Sequence, residues 1–191
     1  GGAIGVPAAE THVLAGSWLL QAAVPYAFPS GDVRVENGAA IGCFKFFTEG
    51  RDPTNAPTCA VSVAGDLTVA GNASIYATGR GLDRDGGTGR GDHGGVTCGS
   101  GADEAFDSIL RPRLPGNSGP LSMSGGAVRL TVGGTLTLDG NAVADGINEE
   151  GNVNASGGGA IDITAARLLG DGKISADGFR KRSNLSSSGA A

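Results

Sequence analysis

The stretch Gly126-Ala127-Val128-Arg129-Leu130-Thr131-Val132-Gly133-Gly134-Thr135-Leu136-Thr137-Leu138-Asp139-Gly140-Asn141-Ala142-Val143-Ala144-Asp145-Gly146 decides the fold. Its apolar residues alternate in three short runs separated by glycine. Alternation with period two is the mark of a strand with one buried face. The same pattern stands earlier as Cys59/Val61/Val63, Leu67 and Ile75/Ala77, and later as Ile161/Ile163/Ala165, Leu168 and Ile174/Ala176. Gly126 and Gly159 lie 33 residues apart, and Cys59 and Val128 lie 69 apart, close to two such periods. The first copy carries two extra residues before its third run. Two is the strand period, so the inward set stays inward. The third copy is one residue shorter, and that loss falls in the segment from Ala165 to Leu168, read as a turn. Glycine between runs is expected where the chain turns with positive φ.

About 20 residues cannot bury their own apolar face, so the copies must stack on one another. Three strands per copy stacked in parallel predict an all-β, right-handed parallel β-helix, a solenoid with long glycine-rich loop excursions. In that register Arg129 neighbours Asp162, Thr131 neighbours Thr164, and Cys59 shares an inward ladder with Val128 and Ile161. The division expected is an N-terminal strand-rich cap or degenerate coils over 1–58 and repeats over 59–178. The copies span 59–79, 125–146 and 158–178, with excursions at 80–124 and 147–157. A low-complexity tail over 179–191 is read as a truncation of a longer chain. Six of the nine aromatic residues fall in the N-terminal part. A cap there would protect an exposed sheet edge.

Composition agrees with a loop-rich all-strand chain. Of 191 residues 36 are glycine, about 19% against roughly 7% in ordinary proteins. Apolar residues reach 39%, enough for a core. The net charge of −5 argues against nucleic-acid binding, which uses a basic footprint. No apolar run is long enough for a membrane span. Cys43, Cys59 and Cys98 fit no zinc spacing. Cys59 reads as a buried thiol acting as a small hydrophobe, and a bridge between two of the three is the alternative in a secreted protein. Sequons at Asn72, Asn154 and Asn184 are glycosylation candidates and point to an extracellular or cell-surface setting.

The module G-G-A-[IV]-x-[IL]-x, then L-x-x-x-G, then [IV]-x-A-[DN]-G, resembles the repeats of very large glycine-rich extracellular proteins with a pectin-lyase-like β-helix. Gly91-Asp92-His93-Gly94-Gly95, Phe106-Asp107-Ser108 and Pro115-Gly116-Asn117-Ser118-Gly119 resemble segments of that family's long excursion. The resemblance covers about residues 59–178. It implies a structural or adhesive module of a large cell-surface or secreted protein, making weak multivalent contacts with polysaccharide or a surface protein. The alternative it implies is a pectin-lyase-like polysaccharide lyase or glycosidase.

The residues themselves offer four candidate chemistries. Arg90-Gly91-Asp92 spells an adhesion tripeptide, and with His93 it forms the ligand or adhesion candidate. Asp83, Asp85 and Asp92 are candidates for calcium, without the spacing and closing Glu of an EF-hand loop; no other cofactor is expected. Sugar cleavage needs paired carboxylates on rigid strands, but Asp66, Asp139, Asp162 and Asp171 fall on different strands and turns, so no catalytic residue is assigned. A threonine array suited to ice is broken, since Leu169 follows Thr68 and Thr137, and Asp66 and Arg167 flank Thr135. Arg180-Lys181-Arg182 reads as a solvated charge run.

Overall fold

The computed structural model describes residues 10–21, 25–44, 58–81, 110, 112–116, 122–148 and 156–179. All regular structure in them is strand. In chain order the strands are β1 (Thr11–Leu14), β2 (Ser17–Gln21), β3 (Tyr26–Phe28), β4 (Asp32–Val35), β5 (Ala40–Phe44), β6 (Thr58–Val63) and β7 (Leu67–Val69). They continue as β8 (Ser74–Tyr76), β9 (Ser122–Met123), β10 (Ala127–Leu138), β11 (Asn141–Val143), β12 (Ile147–Asn148), β13 (Ala160–Leu169) and β14 (Lys173–Ser175).

The copies lie side by side in parallel, in the register that the repeat dictates. Val128 pairs with Cys59 on one side and Ile161 on the other. Leu136 pairs with Leu67 and Leu168, and Ala142 with Ile75 and Ile174. Register is this strict because a one-residue slip would turn every inward Val, Leu and Ile to solvent. Each such side chain contributes about 1.5–3 kcal/mol on burial. The N-terminal strands extend the same two sheets: β1 pairs with β4, β4 with β7, β3 with β6, β2 with β5 and β5 with β8.

The expectation of a single right-handed β-helix is corrected. The strands gather into a seven-stranded and a five-stranded parallel sheet, the architecture being two sheets with one curled as a half-barrel, and β9 and β12 form a separate antiparallel pair. The physical reason lies at the first glycine break of the repeat. Runs one and two of the second copy do not turn onto separate faces. They join as the single strand β10, with only a register irregularity between Val132 and Thr135, and β13 does the same across Ala165 and Ala166. Gly133 is therefore not a positive-φ turn. Positive φ occurs at Gly16, Gly31, Gly38, Gly79 and Gly170 among the described residues. Gly133 is glycine because a Cβ there would run into the Ala64 carbonyl of the adjacent copy.

Cys43 and Cys59 are bonded to each other, which corrects the reading of Cys59 as a free thiol. The bridge joins β5 of one sheet to β6 of the other, and both residues are buried in the common core. That core also holds Val33, Ile41, Leu67, Ile75, Leu130 and Leu136.

Candidate functional site

The polar side chains of the described residues do mostly one thing: they tie one copy to the next. Asp66 follows Asp32 in register, and its N–H donates to Asp32 Oδ1 at 2.8 Å. Thr135 N–H donates in turn to Asp66 Oδ1 at 2.6 Å. At the turn between the sheets, Asn72 N–H donates to Asn37 Oδ1 at 3.1 Å. In the last two copies Asp177 N–H donates to Asp145 Oδ1 at 2.7 Å. These are side-chain caps on backbone groups that the strand ladders leave unpaired where the chain bends.

The densest polar group is Asp145, Ser175 and Asp177. Ser175 is buried, and its Oγ lies 2.6 Å from Asp145 Oδ1 and 3.0 Å from Asp177 Oδ2. A hydroxyl has one proton, so it serves one carboxylate at a time. The arrangement fixes the turn after β14. A serine nucleophile needs a base within hydrogen-bond reach, and the described histidine, His12, is instead in β1, where Nε2–H donates to the Ser30 carbonyl at 3.1 Å and the ring tilts against Phe28. The sequence carried a signal for this group, since Ala144-Asp145-Gly146 recurs as Ala176-Asp177-Gly178. What the pattern alone did not give was the link from one aspartate to the backbone of the next.

Arg129 and Asp162 are register partners with Nε and Oδ2 3.5 Å apart. Arg129 Nε makes no hydrogen bond, so the pair is an ion pair without a directed bond. Thr68 pairs with Thr137 and Thr137 with Leu169, so the threonine row ends at the third copy as read. Asn72 is exposed at its turn. Arg90, Gly91, Asp92, His93, Asp83, Asp85, Cys98, Asn154 and Asn184 lie outside the described residues, as does the run 180–182. Among the described residues no group of three or more His, Cys, Asp or Glu side chains is placed to hold a metal ion. No described helix is long and apolar enough to cross a membrane.

No protein-family model, curated protein or solved structure matches this chain.

Proposed function

We propose that the chain is a structural and adhesive repeat module of a large secreted or cell-surface protein. In this reading it makes weak, repeated contacts with polysaccharide or with another surface protein. The observation that carries the proposal is the use made of its carboxylates. Asp32, Asp66 and Asp145 accept backbone N–H groups of the following copy, and Asp162 faces Arg129. These four carboxylates are engaged in holding copies together. The buried Cys43–Cys59 bridge supports an oxidising compartment. The resemblance of the repeat to glycine-rich surface proteins points the same way.

The test displays the chain singly and as a tetramer on streptavidin over immobilised cell-wall polysaccharides. The expected result is weak binding of the single chain and a gain of about 10²-fold or more on tetramerisation, with no sugar released. Release of reducing or unsaturated sugar by the single chain would replace this reading with a glycosidase or lyase. Free thiols at Cys43 and Cys59 in the native protein would remove the argument for an oxidising compartment.

A further inference from the structure

Both ends of the paired sheets expose large apolar side chains. At the C-terminal end β13 pairs with β10 and β14 with β11, leaving the far side of each without a strand among the described residues. Leu168 and Ile174 occupy inward ladder positions there and are about half exposed, and Leu169 stands exposed beside them. At the N-terminal end β1 and β3 are outermost in the seven-stranded sheet, and β2 is outermost in the five-stranded one. Trp18 stands on the inward row of Ile41 and Ile75, yet it is 45% exposed. Val13 and Leu19 are more than half exposed.

We infer that a second copy of this chain docks head to tail, its β1 and β2 continuing the sheets beyond β13 and β14. The occupant follows from continuity with the junctions already inside the molecule. One further step in the same register sets Leu168 against the second copy's His12 and Leu169 against its Val13. It also sets Ile174 against the second copy's Trp18. Leu169 with Val13 in one sheet and Ile174 with Trp18 in the other are apolar pairs, Leu168 packs on the His12 ring, and Arg167 falls one position from the second copy's Glu10. The turn between the sheets has a matching length. Five residues lead from Leu169 to Ile174, five from Thr137 to Ala142 and five from Val13 to Trp18, whereas seven lead from Thr68 to Ile75. The segment joining β1 to β2 thus repeats the step of the second and third copies. Such an interface joins different patches on the two partners and so leaves one free end on each.

Two variants test this. Leu168→Lys with Ile174→Lys places charge on the C-terminal edge, where both side chains already meet water. Trp18→Lys does so on the N-terminal edge. Sedimentation velocity of the unaltered chain is expected to show mass rising with concentration beyond the 18.7 kDa of one chain. Each variant alone is expected to stay at one chain at the same concentrations, with its circular dichroism unchanged. A mixture of the two is expected to give a dimer and nothing larger, because one intact edge of each kind remains. A single-chain mass for the unaltered protein at all concentrations would overturn the proposal. So would a variant that still self-associates alone, or a mixture that stays at one chain. Should Trp18→Lys fail to fold, Leu19→Lys, also exposed on β2, takes its place.

Discussion

The second and third copies read almost alike, yet one is core and the other is surface. Leu136 is fully buried, while Leu168, its register partner, is 53% exposed. Ala142 is fully buried, while Ile174 beside it is 47% exposed. The local conformation of both copies is the same, since both form long strands followed by a short one. The difference is that, among the described residues, β10 has a neighbour on each side and β13 has one. In a stacked repeat, burial belongs to a position in the stack and not to the residue that fills it. Most of the apolar contribution of a copy is therefore made when the next copy arrives.

The largest effect that could break this comparison is a paired truncation. Leu136→Ala is expected to cost about 2–5 kcal/mol, because it opens a cavity between covered strands. At dilutions where the chain is single, Leu168→Ala is expected to cost under about 1 kcal/mol. Urea unfolding of both measures the gap, and equal losses would mean that the last copy is covered in solution by something further. That outcome would fit the head-to-tail docking, and dilution would then separate the two cases.

A middle-sized effect sharpens the comparison at the junction itself. Gly159 begins the third copy, and a Cβ there would meet the carbonyl of Gly126 and the backbone of Gly125. Its own N–H donates to Ala144 O at 2.7 Å. Gly159→Ala must push the third copy off the second, and a loss of about 1–3 kcal/mol is expected, comparable to overpacking. Hydrogen exchange locates the loss: amides of β13 and β14 are expected to lose protection before those of β6 to β8. Uniform loss across all copies would show that the stack unfolds as one unit.

The smallest effect is electrostatic. A double-mutant cycle on Arg129 and Asp162 is expected to give about 0–1 kcal/mol, vanishing in high salt, since both side chains reach solvent. A larger coupling would mean that the outer face is less open to water than these exposures imply.

Much of this molecule was legible from spacing alone. The pairings Arg129 with Asp162, Thr131 with Thr164 and Cys59 with Val128 follow from counting, because period-two alternation allows one register in which all inward residues stay inward. The architecture was less legible at Gly133-Gly134. Two glycines between alternating runs are compatible with a turn and equally with a close approach of two extended backbones. The Ala64 carbonyl of the neighbouring copy decides between them, and it lies 69 residues away from Gly133. The disulfide was hidden for the same reason, since two inward ladder positions on different sheets meet only when the sheets face each other. The Asp145 cap was visible as a recurring Ala-Asp-Gly, but not its partner.

The sequence by itself determined that the repeats are strands, which of their residues face inward and in what register the copies pair. These are consequences of local periodicity. Only the tertiary structure decided that two runs fuse into one strand, that the strands divide between two sheets, and that Cys43 meets Cys59. It also decided that the third copy, built like the second, leaves its ladder half exposed. Each of those depends on which backbone lies across from which, a long-range fact that no local pattern carries.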